Sequence, residues 1–313
     1  MTLIQPPMMV KGGTHPARTM RMMIRDLSRG SQGVTEFNDL KVTQQTTPGA
    51  GVQVSDGSGV VRGAAWGQGS YTQYNVGTAL VDVAPTGAQG RTDMVVLRVL
   101  DPEYEGNLNP ATGDIGFLDV VSNVSSTATD PAAGMTAIPL ARVVLPPNCA
   151  TVTDAMITDL RKICNPRRDR QIYTASPTGN QNWGGNAKGT FVQWPPAAKW
   201  TISVPEWAVR ARIKFDVAAV EVLTGVVFGG AAFKLGTVQG QGIAFDTGAF
   251  VSGDRSQRVN FTSADTLTVP ASLRGTSQVL QAMVALNSAA AGTLQADVST
   301  TAIADVEFEE GAI

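Results

Sequence analysis

From about residue 33 onward, apolar and polar positions alternate in short runs, and glycine, proline, asparagine and aspartate separate the runs. A period of two puts one side of each run against a core and the other in solvent, as in half-buried strands. The first half carries such runs at 39–43, 52–54, 60–63, 71–76, 79–83, 94–100, 115–121 and 138–145. Thr47-Pro48-Gly49-Ala50-Gly51 forms a turn between the first two, and Asp56-Gly57-Ser58-Gly59 is a hairpin signal ahead of the third. In the second half the runs fall at 201–204, 209–222, 225–228, 231–237, 258–269, 278–286, 292–298 and 302–308, the last read as a terminal strand closing a sheet. The expected class is all-β with two short helices: a β-rich assembly module, then an antiparallel β-sandwich or jelly roll. No fixed-period repeat is present, which argues against solenoids and propellers.

Two segments break the alternation. In residues 17–29, Met20, Met23, Ile24 and Leu27 recur at helical spacing and make an apolar stripe, while Arg18, Arg21, Arg25 and Arg29 repeat on another side. Gly30 is a natural stop. Such a helix can dock on its own domain with a solvated basic edge. Alternatively, with the extended arm 1–16 before it, it docks on a neighbouring subunit, a task for which methionine-rich faces are well suited. Arg18, Arg21, Met23, Ile24, Arg25 and Leu27 are the candidate assembly residues. The second segment, 153–163, reads as a helix capped by Thr153, with Asp154 in its first turn, Arg161 and Lys162 in its last, and Met156, Ile157, Leu160 and Ile163 on its apolar face. Asn165-Pro166-Arg167-Arg168-Asp169-Arg170 then reads as a stop and a solvated linker. The expected organisation is an arm and helix at 1–30, a β-rich domain at 31–165, a linker at 166–171 and a sandwich at 172–313.

Composition narrows the chemistry. Of 313 residues 43% are hydrophobic and 16% charged, enough for two real cores, and the net charge of −2 gives no electrostatic footprint for nucleic acid. No apolar run is long enough for a membrane helix, and the start has no basic region leading into an apolar one. The single histidine, His15, lies in Thr14-His15-Pro16, a helix-start setting, and every histidine-dependent triad or zinc site would have to pass through it. Cys149 and Cys164 have no metal-like spacing and read as free thiols held apart by the intervening helix. No phosphate loop occurs, and Gly184-Gly185 and Gly229-Gly230 read as turn glycines with no helix following. The acidic stretch Asp101-Pro102-Glu103-Tyr104-Glu105 reads as a solvated hairpin tip and lacks calcium-loop spacing. No catalytic residue, cofactor or metal site is expected.

The first half resembles the minor tail or baseplate proteins of long-tailed phages of actinobacteria. The resemblance runs over about residues 17–170. It is carried in order by Gly33-Val34, Asp39-Leu40-Lys41-Val42-Thr43, Gly51-Val52-Gln53-Val54, Val60-Val61-Arg62-Gly63, Gly69-Ser70-Tyr71, Arg91-Thr92-Asp93, Val95 to Asp101, Ile138 to Val143 and Ile157 to Arg161. It implies a module that packs into a virion tail beside other tail proteins, with the variable C-terminal half facing the host.

Four of the five tryptophans, Trp183, Trp194, Trp200 and Trp207, fall close together. Trp200 and Trp207 flank a strand and are expected in the core. Trp183 and Trp194 lie in loop-like sequence beside Asn182, where exposed rings could stack on sugars of the host envelope. The expectation is therefore a non-enzymatic tail component, a homotrimer, whose sandwich attaches to host glycans without entering the membrane. A glycan-degrading tail enzyme and a head-decoration fibre are the alternatives.

Overall fold

The computed structural model describes residues 7–183, 189–248, 257–287, 289–290 and 292–311. It divides into two compact units, one reaching Pro166 and the other spanning Arg167–Gly311.

The first unit contains α1 (Ala17–Leu27), β1 (Gly33–Val34), β2 (Val42–Gln44), β3 (Gly51–Val54), β4 (Gly57–Arg62), β5 (Ser70–Asn75), β6 (Ala79–Asp82), β7 (Arg91–Val99), β8 (Gly116–Val121), β9 (Ala137–Leu145) and β10 (Ile157–Asp159). They form three antiparallel sheets in the orders β1-β4-β5, β2-β3-β6 and β10-β9-β7-β8. Strand β7 has an unbroken apolar run, Met94 to Leu97, because its two faces feed different clusters. Val95, Leu97 and Val99 enter the main core with Ile138 and Leu140, while Met94 and Val96 enter a smaller one with Ala137. The turn at 47–51 joins the paired strands β2 and β3, as its residues predict. The Asp56–Gly59 signal works differently: β3 and β4 lie in different sheets, so the chain crosses between sheets there instead of making a hairpin. Gly57, at φ 144°, has the backbone of Asp39 where a Cβ would stand, and only glycine fits.

The helix expected at 153–163 does not form. Asp154–Met156 makes a single 3-10 turn, and Ile157–Asp159 pairs with Val143, Arg142 and Ala141 as β10. The helical spacing of Met156, Ile157, Leu160 and Ile163 competes with an open edge of β9. Sheet pairing satisfies the backbone there, and the Leu160 N–H continues it to the Leu140 carbonyl. Both cysteines are free, Cys149 buried and Cys164 half-buried, but no helix separates them.

The second unit contains β11 (Arg168–Ala175), β12 (Gln181–Trp183), β13 (Val192–Gln193), β14 (Lys199–Ser203), β15 (Ala208–Thr224), β16 (Phe228–Leu235), β17 (Val238–Gln239), β18 (Ile243–Asp246), β19 (Gln257–Thr268), β20 (Ser277–Leu286), β21 (Thr293–Ala296) and β22 (Thr301–Glu310). One sheet runs β11-β22-β15-β21-β12, with β19 also on β15; the other runs β13-β20-β16-β17, with β14 on β20 and β18 on β16. Every pairing is antiparallel. Alternate residues of the two sheets meet in one core, where the rings of Phe215 and Phe233 stack at 6.1 Å. This is the antiparallel sandwich that the alternation predicts.

Residues 168–171, expected in the linker, belong to β11, where Arg168 and Arg170 pair across to Glu309, Glu307 and Asp305 of β22. The opposite charges facing them on β22 turn an apparent linker into a strand. The final strand β22 lies between β11 and β15, not at a sheet edge.

Candidate functional site

Helix α1 docks on the first unit with its apolar stripe split between protein and solvent. Its buried residues are Thr19 and Arg21, whereas Met20 is 45% exposed and Leu27 72%; Met23, Ile24 and Arg25 are half-buried. Arg21 is drawn inward by Asp101 at 3.2 Å and by Glu103, at 2.5 Å. Its Nε donates to the Gln68 carbonyl at 2.9 Å, and its guanidinium lies 5.5 Å from the ring centres of both Tyr71 and Tyr104. The Tyr71 hydroxyl donates to Asp101 Oδ2 at 2.7 Å, and Gln68 Nε2 donates to Tyr71 and to Thr136. Burial alone would pull the Arg21 guanidinium down, but hydrogen bonds to Glu103 and Tyr104 and the charge of Asp101 hold it above its ordinary value. Burial, and then the Asp101 carboxylate, push the Tyr71 phenol far above its ordinary range.

Gly69, at φ 82°, lets the helix come this close, since a Cβ there would stand 2.6 Å from the Arg21 backbone. Arg18 donates to the Gly67 carbonyl at 2.7 Å, and Arg25 stacks 5.1 Å from the centre of the Trp66 ring. The acidic stretch read as a solvated tip is thus the receptor for the helix, with Asp101 itself buried. Thr14 does not cap the helix; Pro16 occupies that position with no side-chain cap.

In the sandwich, Trp194 is 3% exposed and part of the core. It cannot stack on a sugar from outside. Its ring lies 6.1 Å from that of Trp183, which is half-buried on the edge strand β12 and not in a loop. Asn182 is exposed on β12, but its Oδ1 accepts from Gln295 Nε2 at 2.6 Å. Trp200 and Trp207 pack partly buried against the core, as expected. The tryptophan cluster is therefore mainly structural. Gly184-Gly185 lies outside the described residues.

Two open grooves lie on the outer faces of the sandwich. One, of about 600 Å3 on the β15 sheet, is lined by Arg170, Arg212, Lys214, Asp265, Asp305 and Glu307. Its charges are largely spent on each other and their neighbours: Arg170 on Asp305, Arg212 on Glu309, Lys214 on Asp216. The other, of about 590 Å3 on the β16 sheet, has Phe191, Phe228 and Phe245 among its lining, with Asp246 and Asn287 as polar members. Phe228 on β16, Phe245 on β18 and Phe191 just before β13 are far apart in the chain and give no local signal in the sequence.

No family model matches the chain. None of the curated proteins matches it either. Among solved structures, the infectious bursal disease virus VP2 subviral particle aligns at 12% identity over 90% of this chain and 76% of the other, with a TM-score of 0.26. Derived T=1 particles of the same virus align at 12% identity over 93% and 84%, TM-score 0.24. Wild-type BuGH86 in complex with neoagarooctaose aligns at 10% identity over 82% of this chain and 32% of its own, TM-score 0.21. Scores at this level leave the functional argument to the chain's own geometry.

Proposed function

We propose that the chain is a structural component of a phage tail that assembles with itself as a trimer through its first unit and attaches to host-envelope glycans through its sandwich. The observation that carries this reading is the exposed part of the apolar stripe of α1. A polar clamp fixes α1 from within and leaves Met20 and Leu27, seven residues apart on one face, in solvent. An exposed apolar face on a rigidly held helix costs free energy in an isolated chain and is recovered when a second copy covers it. Cyclic homo-oligomers are the usual outcome of such self-association. The resemblance of residues 17–170 to minor tail and baseplate proteins supports the same assignment and suggests other tail proteins as neighbours.

The reading assigns no catalytic step. Among the described residues lining the aromatic groove, Asp246 is the one carboxylate, whereas glycoside hydrolysis ordinarily uses two. Light scattering on the full chain tests the assembly claim: a trimer mass is expected, falling to one chain in Leu27→Asp, which should still unfold cooperatively, at a lower midpoint than the assembled wild type. A wild-type chain that stays monomeric at all concentrations overturns self-assembly through this face.

A further inference from the structure

We infer that the aromatic groove of the sandwich is a binding site for a neutral hexopyranose glycan, an inference that rests on the attachment role proposed above. The groove follows from the register of the outer sheet. Gly230 of β16 stands opposite Ala285 of β20 on one side and Ala244 of β18 on the other, so three small residues share one row of the outer face. In the next row Phe228 pairs with Asp246, and its carbonyl accepts the Asn287 N–H. Phe191 closes the other flank, its ring tip 3.0 Å from where a Gly230 Cβ would be. A flat floor between half-exposed aromatic walls suits the C–H face of a pyranose ring.

The polar rim fits the hydroxyls. Asp246 Oδ1 accepts the Gly248 N–H at 2.8 Å, and Asn287 Oδ1 accepts the Ala289 N–H at 3.0 Å. Each side chain is thereby held in place by one atom. The other atom, a carboxylate oxygen on Asp246 and an amide NH2 on Asn287, has no partner among the described residues and is free for a ligand. One acceptor and one donor near an apolar floor is the pairing that orients a sugar. The carboxylate disfavours acidic sugars by like-charge repulsion, which is why the ligand is neutral. An open groove of this kind binds weakly by itself, and several copies in one assembly would raise the avidity.

The test is saturation-transfer NMR and calorimetry on the full chain. Chitotetraose, mannotetraose, galactotetraose and maltotetraose serve as neutral probes, and tetragalacturonate as an acidic one. At least one neutral probe is expected to bind and tetragalacturonate is not. Phe191→Ala should weaken binding about tenfold, the effect of removing one aromatic contact. Ala244→Arg, an exposed floor position that fills the groove without touching the core, should abolish it. No binding of any neutral probe, or binding unchanged in both variants, overturns the site. So does a change of oligomeric mass in the variants without sugar binding, which would make the groove an interface between copies. A chain that binds sugar here and fails to adhere to cells keeps the site and overturns the attachment role instead.

Discussion

The two units use arginine–carboxylate pairs in opposite ways. In the first, Arg21, Asp101 and Tyr71 form a shielded cluster on which a whole helix depends. In the second, the exposed Arg168, Arg170 and Arg212 form a ladder with Asp305, Glu307 and the buried Glu309 across β11, β22 and β15, outside an apolar core that already holds the sheets together. Identical chemistry therefore carries different weight. Water and salt screen the ladder's arginines, and Glu309 has two of them so that losing one leaves it paired, whereas breaking the cluster strands a charge away from water. The contrast also separates roles: the polar cluster fixes an element that keeps Met20 and Leu27 outward, while the sandwich hides nearly all of its large apolar residues.

The sharpest way to break this comparison is to damage each interior. Trp194→Ala should cost the sandwich about 3–5 kcal/mol in denaturant unfolding, the usual loss for a buried aromatic. Trp194→Phe should cost a fraction of that, since the Trp194 Nε1 is buried with no hydrogen-bond partner among the described residues. Arg21→Met should destabilise the first unit by about 3 kcal/mol through the unpaired Asp101, and Asp101→Leu added to it should restore part of the loss. A loss from Arg21→Met no larger than that of a surface pair would refute the distinction between cluster and ladder.

Smaller effects sharpen the same contrast. Hydrogen bonding to Arg258 holds Asp297 down to about 2, below its ordinary 3.8, and this pair braces the β15 bulge through the Ala219 carbonyl. A depressed folded-state value means that this stabilisation is complete above about pH 4 and is lost as the pH falls toward 2. An acid-unfolding curve of Asp297→Asn should lack that component. Smallest of all, Arg168→Ala on the exposed ladder should leave the calorimetric midpoint unchanged within error, at low and high salt alike.

Much of the β architecture was legible because its signals are local: β15, β19 and β22 alternate over enough residues to be read directly, and β7, β9 and β20 carry short apolar runs between turn residues. What failed was decided by distant partners. Residues 157–159 became a strand because β9 offered an edge. Arg21 turned inward because Asp101, eighty residues later, offered a charge. Trp194 sank into the core because the neighbouring strands closed over a stretch that reads as loop. The aromatic groove depends on the register of β16, β18 and β20, which no single run of sequence encodes.

Hydroxyl-radical footprinting of Met20 in the full chain and in Leu27→Asp would show whether the clamp presents the Met20–Leu27 edge of α1 for assembly. Met20 should be protected in the assembled wild type and oxidised readily in the variant. Equal oxidation of Met20 in the two proteins, with the wild type still oligomeric, would contradict this and move the assembly surface elsewhere.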